Sequence, residues 1–518
     1  MQNYPLYDHP NFTTFSQLIS MRIAESPTDA AFQYIEKRRL VTVPYSLFQR
    51  DIDTLSAYFR RQGFVQSKVA VLGENSYYWI LTYFVIVLGS NIIVPIDKEL
   101  GMAEIEDLLV RCKVSALVCS DTYMDIAEAL RAHGTVKTIF NMKDYPSILS
   151  GESEKVDISH IETDENAVCT IIFTSGTTGT PKGVMLTQKN MMLNAINACR
   201  NLQVRGGSVL TLPLHHAFGF TVGVLAELIY GYPIYISRSL RTFNNDIIAF
   251  RPQNLILVPL YVETMYKTIW KSAREQNKDR QLNSLITFSN FLKRFGIDLR
   301  RKFFRPILEQ FGGNLEEIIC GGAYLDQKYI DGLNDIGIQV LNGYGITECS
   351  PVVAVNRNKY SKRNSVGLPL PGCEVKIVDG EICVKGDIVM AGYYQDDAAT
   401  REVIEDGWFK TGDMGYQDGD GFLFITGRKK NLIILSNGKN VSPEELEANI
   451  LKIAGVQEVI VSVEDNLIVA EIYASDQSGI QESISALNKE LPSYKRIHKV
   501  KFRPSPFEKT TTQKIKRI

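Results

Sequence analysis

The sequence is short of several things, and each shortage excludes a class of protein. Its 518 residues hold eight cysteines, and no two of them form a C-x-x-C pair. Neither a cysteine zinc site nor a redox dithiol is therefore expected. Most of the eight sit in apolar runs, as small buried hydrophobes do, and a reduced, cytosolic compartment is expected. There is no charge imbalance either: 57 Lys and Arg against 58 Asp and Glu leave a formal charge of −1. No global field recruits nucleic acid or anionic lipid. The first residues, MQNYPLYDHPNF, are polar and lack the apolar stretch of a signal peptide. One charge-free stretch, 76–96, could pass for a membrane span, but Gly89-Ser90-Asn91 interrupts it. It reads as a helix, a turn and a strand in a buried core. Internal repeats and low-complexity linkers are missing as well.

What is present is an ordinary globular balance, 45% apolar and 22% charged. A chain this long does not keep a single core, so several subdomains are expected. Short apolar, β-branched runs alternate with helical stretches: VAVLG at 69–73, NIIVPI at 91–96, SALVCS at 115–120, AVCTIIFT at 167–174 and EEIICGG at 316–322. Continuous apolar strands between helices predict an α/β fold with parallel sheets covered on both faces. After about residue 365 the texture changes. CEVKIVDGEICVKGD and GWFKTGDMGYQDGDGFLFITGR are strands joined by Gly/Asp turns, which predicts antiparallel pairing. The stretch 443–518 then reads helix, strand, strand, helix and a basic end, a small α+β unit. The joint falls at Gly427-Arg428-Lys429-Lys430-Asn431, which divides the chain into 1–428 and 429–518.

Chemistry concentrates in a few strings. Residues 174–183, TSGTTGTPKG, follow an apolar strand. A glycine-rich loop in that place lets backbone N–H groups approach phosphate oxygens, the hydroxyls add donors, and Lys182 adds a cation. It is not a Walker A loop, because Pro precedes the lysine and Gly follows it. In NGYGITECSP, at 342–351, Tyr344 offers a ring face to a base, Thr347 a hydroxyl to a phosphate and Glu348 a carboxylate to Mg²⁺. In GWFKTGDMG, at 407–415, the Asp413 carboxylate suits two hydroxyl donors at once. LPLHHAFG at 212–219 and CGGAYL at 320–325 are open on their own terms, the first to a packed core histidine and the second to a plain β-turn. GRKKN would by itself be a solvated basic turn, and the basic end FEKTTTQKIKRI a frayed terminus.

Together and in this order, these strings resemble those of the acyl-adenylate-forming (AMP-binding) superfamily, which includes acyl-CoA synthetases, luciferase-like enzymes and the adenylation domains of peptide synthetases. The likeness runs from about residue 15 to the end, and the tail is similar to that of long-chain fatty acyl-CoA synthetases. The resemblance implies a large multi-subdomain N-terminal domain, with parallel αβα sheets and a small antiparallel barrel, and a small mobile C-terminal lid. It implies ATP and AMP binding by Thr174, Ser175, Gly176, Thr177, Thr178, Gly179, Gly322, Ala323, Tyr324, Asn342, Gly343, Tyr344, Gly345, Thr347, Asp413 and Arg428. It implies catalysis by Lys514, Thr347, Glu348 and Lys182, with Glu348 the Mg²⁺ ligand. Gln513 stands where the common family pattern has a glycine before that lysine. The acyl pocket would be built from 216–225, 257–265 and 320–325, with His216, Phe218, Gly219 and Phe220 in its wall, and the glycines there would leave room. Gly438 and Lys439 would border a thiol tunnel, and Lys430 would be the hinge. Amino-acid-activating relatives carry an Asp where Ala217 stands. A buried ammonium without a counter-ion is costly, so an amino acid substrate is disfavoured.

The expected reaction joins a fatty acid to AMP at the expense of ATP and then passes the acyl group to coenzyme A. A fatty acid is already ionised at neutral pH, so the first step needs charge neutralisation rather than a base. Two alternatives share the nucleotide motifs: an acyl-AMP ligase that loads an acyl carrier protein, and a non-catalytic fatty-acid or nucleotide sensor. Membrane contact is expected to be peripheral at most. Acid chain length and oligomeric state are not legible.

Overall fold

The computed structural model describes residues 4–151, 164–174, 181–237, 239, 241–435, 439–464, 467–509, 515 and 517. Two mixed sheets dominate it. In one, five strands run parallel in the order Val168–Thr174, Ile92–Pro95, Lys68–Leu72, Ala116–Cys119, Thr138–Asn141. Lys182–Thr187 and Gly392–Tyr393 are added antiparallel at the Val168 edge. The other has nine strands. Its parallel centre runs Gln339–Gly345, Glu317–Cys320, Asn254–Leu257, Ser208–Leu210, Ile234–Ile236, Ala30–Glu36. The predicted parallel α/β class holds, and the apolar runs named above are its central strands.

The uncharged stretch 76–96 folds as read. Ser76 caps the helix Tyr77–Leu88 by accepting from the Trp79 amide at 3.1 Å. Eleven of the twelve helical residues are buried, and each large apolar side chain so placed contributes roughly 1.5–3 kcal/mol. Gly89 ends the helix, and Asn91 accepts from the Ser67 amide at 2.8 Å, which starts the next strand. The Tyr83 and Thr170 hydroxyls meet at 2.6 Å and tie this helix to the strand before the phosphate loop. Among the described residues no helix is long and apolar enough to cross a membrane.

The glycine- and aspartate-rich segment after residue 365 differs from expectation in one respect. Glu374–Val378, Glu381–Lys385, Trp408–Gln417 and Ile404–Glu405 pair in that order, and Leu423–Arg428 also pairs with Trp408–Gln417. These five strands form an open antiparallel sheet, not the expected barrel. Closure needs an edge-to-edge pair, and no strand among the described residues joins the Glu374 edge to the other side. Beyond the joint, Val456–Glu464, Leu467–Ala474 and Lys499–Arg503 make a three-stranded sheet packed with the helices Pro443–Ile450 and Ile480–Glu490. Their apolar side chains, from Ile433 to Ile497, form a core of their own.

Candidate active site

The strand Val168–Thr174 and the strand Lys182–Thr187 form a hairpin, with Thr174 opposite Lys182. The phosphate-loop residues Ser175, Gly176, Thr177, Thr178 and Gly179 lie outside the described residues. Lys182 is not left to solvent. Its Nζ sits 4.8 Å from the ring centroid of Tyr393, and the Tyr393 hydroxyl donates to Glu348 Oε1 at 2.9 Å. Tyr393 can do this because Gly392–Tyr393 pairs antiparallel with Met185 and Val184. One short edge strand thus joins the hairpin to the predicted Mg²⁺ carboxylate. The sequence reading missed Tyr393, although an aromatic pair after glycine, GYY, was visible in the chain.

Glu348 is buried. Burial raises its carboxyl above the ordinary range, and its own backbone, Tyr393 and Arg428 pull the other way. A dication at this carboxylate would reverse the balance in favour of the charged form. A single carboxylate beside the Thr347 hydroxyl is an all-oxygen donor set that fits Mg²⁺ with phosphate oxygens and water completing its shell. The turn is fixed from below. Asn194, on the helix Gln188–Asn201, donates to the carbonyls of Cys349 (2.9 Å) and Val352 (2.8 Å), and the Met390 amide donates to the Glu348 carbonyl (2.8 Å).

Asp413 lies on the strand Trp408–Gln417, where alternate residues point inward, and it takes an inward place among Phe409, Thr411 and Gly415. A carboxylate in an apolar register needs partners. Tyr344 donates its hydroxyl to Oδ2 at 2.6 Å, and Arg428, its cross-strand neighbour, pairs with Oδ1 through Nε at 2.6 Å. Charge-assisted bonds of this kind are worth about 1.5–3 kcal/mol each. Burial and Asp413 together push the Tyr344 phenol well above its ordinary value, which keeps it a donor. Glu381, also missed in the sequence, accepts from the Gly412 amide at 2.9 Å and pairs with Lys429 at 2.6 Å. It couples the segment around Asp413 to the residue before the predicted hinge, Lys430, which is exposed.

Cys320 and Asn342 face each other on adjacent parallel strands. Gly321 to Tyr324 therefore leave the carboxyl edge that Gly343 to Gly345 extend past, the edge where α/β sheets bind ligands. Gly322 has φ +90°, a conformation glycine adopts without strain, and Gly322, Ala323 and Tyr324 are exposed. The Asn342 Oδ1 is buried and accepts no hydrogen bond among the described residues. It is an acceptor with a place for a donor, such as an exocyclic amine. A Cβ on Gly321 would lie 3.1 Å from Phe218 Cζ, so this wall rests directly on the acyl segment.

That segment corrects two expectations. Phe218–Ala226 winds as a π-helix, a rare form. Phe218 is half-buried against Gly321, and Ala217 is buried. Phe220, however, does not face the Gly321 wall. Its ring stacks on Tyr83 at 3.5 Å, with Phe15 and Phe84 alongside. The glycines do not leave room either: a methyl on Gly219 would lie 2.2 Å from the Pro213 carbonyl oxygen. Gly219 permits close packing. Val222 joins Ile256, Ile319 and Leu341 in an apolar cluster against which Phe218 and Val258 pack.

Gly438 and the predicted catalytic Lys514 lie outside the described residues. Lys439 is exposed and lays its ammonium 4.8 Å from the Tyr494 ring centroid. On either side of residue 514 the chain is held. Lys509 and Ile515 form an antiparallel bridge, and Arg517 pairs with Glu447 and, at 3.7 Å, with Glu444.

Three comparisons bear on this arrangement. A profile described as AMP-binding enzyme matches residues 20–394. The chain is similar to the long-chain-fatty-acid–CoA ligase FadD15 of Mycobacterium bovis, 30% identical over 417 residues, covering 73% of this chain and 68% of that one. Its fold is similar to O-succinylbenzoate coenzyme A synthetase (MenE) from Bacillus subtilis in complex with AMP, with a TM-score of 0.77 at 22% identity and 96% of each chain covered. It is also similar to a Mycobacterium tuberculosis fatty acyl CoA synthetase, with a TM-score of 0.70 at 23% identity, covering 97% of this chain and 96% of that one. Among the curated long-chain-fatty-acid–CoA ligases, the aligned part spans from 48% to 68% of the relative's own length. With the profile covering more than two thirds of its length and the strings of its site falling on the edges of two adjoining sheets, the chain belongs to the AMP-binding enzyme family.

Proposed function

We propose that this chain is an AMP-forming ligase that activates a fatty acid with Mg-ATP to acyl-AMP and pyrophosphate and then transfers the acyl group to coenzyme A. The coarser reaction, ATP-dependent joining of an acid to coenzyme A, follows its family and the names of its relatives. The observation that carries the choice of acid is the apolar segment beside the nucleotide wall: Ala217 is buried, and Phe218 packs on Val222, Ile256, Ile319 and Leu341. These apolar side chains suit an alkyl chain, and Ala217 gives an ammonium no counter-ion where amino-acid-activating relatives carry an Asp.

In the first step the fatty carboxylate attacks the α-phosphorus and the bond to the pyrophosphate oxygen breaks. Two anions must meet, so catalysis is positioning and charge neutralisation. Asp413, supported by Tyr344 and Arg428, accepts the ribose hydroxyls. Asn342 accepts from the adenine amine. The loop 174–179, Lys182 and Thr347 hold the phosphates, and Lys514 supplies a further cation. Glu348 would hold Mg²⁺, which would spread phosphate charge. In the second step the coenzyme A sulfur attacks the acyl carbonyl as the thiolate, its proton released to solvent, and AMP leaves with the electron pair of the broken acyl–oxygen bond. For this, the unit 429–518 turns about Lys430, which withdraws Lys514 and brings Gly438 and Lys439 to the acyl-adenylate. Glu381, which bonds Gly412 and Lys429 at once, is the bridge that would have to yield.

The test is thioester formation with Mg-ATP and coenzyme A across saturated fatty acids of increasing length, with succinylbenzoate, anthranilate and an amino acid as competitors. A preference for fatty acids supports the proposal. Thioester formed only from an aryl acid overturns the substrate, and acyl-AMP made from fatty acids without any thioester overturns the acceptor.

A further inference from the structure

Two side chains missed by the sequence reading stand beside His216. Asp97 lies just past the strand Ile92–Pro95 of the first sheet, and His215 lies past Ser208–Leu210 of the second. The loop of His215 is tied to the first sheet by Asn75, just past the strand Lys68–Leu72, which donates to the Leu212 carbonyl at 2.7 Å and accepts from the Leu214 amide at 3.2 Å. Asp97 is oriented by the Glu99 amide, which donates to its Oδ1 at 3.0 Å. One ligating atom each of Asp97, His215 and His216 lies within 4.8 Å of the others.

We propose that Asp97, His215 and His216 form a binding site for one zinc-like transition-metal dication, separate from the Mg²⁺ carboxylate Glu348. The geometry of His215 and Asp97 is the first argument. His215 Nε2 and Asp97 Oδ1 stand 3.4 Å apart, and Nε2 makes no hydrogen bond among the described residues. That is long for a charge-assisted bond, and it is the edge of a coordination tetrahedron. Two ligands at about 2.05 Å from zinc, at the tetrahedral angle, are about 3.3–3.4 Å apart. Burial is the second argument. His215 is 7% exposed, so its unsatisfied ring nitrogen is not served by bulk water, and a metal ion would satisfy it. Donor chemistry is the third. Two imidazoles and one carboxylate favour zinc, cobalt or iron, whereas Mg²⁺ selects oxygen. Three protein ligands leave a coordination position for water or for a carboxylate oxygen of a bound acid. The absence of cysteine pairs does not bear on this site, because it uses no thiolate.

The experiment is equilibrium dialysis of the full chain, stripped with chelator, against Zn²⁺, followed by metal analysis. The same chain is loaded with Co²⁺ to read the ligand-field bands of a tetrahedral nitrogen–oxygen site. One zinc per chain is expected, with affinity lowered at least tenfold in Asp97→Asn and in His215→Gln, and unchanged in Glu348→Gln. Thermal unfolding should shift upward with zinc in the native chain and not in Asp97→Asn. Should buried His215→Gln fail to fold, Asp97→Asn and His216→Gln carry the test. No bound zinc, or zinc bound equally well by Asp97→Asn and His216→Gln, overturns the proposal. Binding is read without ATP, acid or coenzyme A, so its failure is distinguishable from failure of the proposed ligase activity.

Discussion

At the nucleotide end, each critical side chain is held by a named polar partner: Asp413 by Tyr344 and Arg428, Glu348 by Tyr393, Glu381 by Gly412 and Lys429. At the acyl end, position is set by shape. Phe218 lies on Gly321, Gly219 abuts Pro213, and Phe220 stacks on Tyr83. The ionisable groups show the same division. Asp413 is buried against a guanidinium, whereas Glu227, which continues the π-helix, is buried without one. Burial pushes the Glu227 carboxyl up to about 8, against the smaller pull of Ser208 and Asn254. Directional partners fix reacting groups to within the tolerance of a hydrogen bond. Close packing fixes volume and leaves chemistry to the substrate.

Glu227 gives the largest effect expected from that contrast. Its folded value, about 8, lies above the ordinary 4.5, so the folded state holds the proton more tightly. Its contribution to stability is whole below the ordinary value, declines as pH rises and is lost above about 8. The slope is up to about 1.4 kcal/mol per pH unit across that window. Urea unfolding at several pH values should show this decline in the native chain and a flatter profile in Glu227→Gln. An unchanged slope would mean that the acid is ionised in the fold.

Lys514→Ala comes next. Acyl-adenylate formation should fall by about 10²–10³-fold, by analogy with removal of an oxyanion donor. Thioester formation from supplied acyl-adenylate should be spared, and equal loss in both steps would remove Lys514 from its role. Gly219→Ala tests the acyl end. Forcing a methyl against the Pro213 carbonyl should cost about 1–3 kcal/mol of stability, read from the urea midpoint. A stable variant with altered chain-length preference would show that glycine provides room after all. The smallest effect belongs to Tyr344→Phe. The lost bond, worth about 1.5–3 kcal/mol, is made to the Asp413 carboxylate and not to ATP, so the KM for ATP should rise only about three- to tenfold, with kcat nearly unchanged.

The same contrast explains what could be read from the chain alone. The central strands were legible because buried parallel strands are continuous apolar runs, and the helix Tyr77–Leu88 because its cap and its glycine stop are local signals. Thr347, Glu348 and Asp413 were candidates because a hydroxyl and two carboxylates in those strings suit phosphate, metal and ribose, whereas Arg428 was a candidate only through the resemblance. Tyr393, Glu381 and Asn194 did not, because their partners lie tens of residues or more away in sequence and a tyrosine or asparagine is unremarkable until folded. The barrel was implied by the resemblance alone; the residues predicted antiparallel strands, and periodicity, which says which face a strand buries and nothing about which edges meet, could not test closure. Phe220 was placed in the pocket wall by resemblance alone, and nothing in the chain signalled the i→i+5 ladder that carries its ring onto Tyr83.

The account's central claim is that the polar end makes an acyl-adenylate from an alkyl acid. ATP–pyrophosphate exchange without coenzyme A tests it most directly, because exchange reports that half-reaction alone. Exchange that depends on a fatty acid and is absent with amino acids is the predicted result. Exchange supported only by an amino acid or an aryl acid, or none with any acid while ATP still binds, would contradict it.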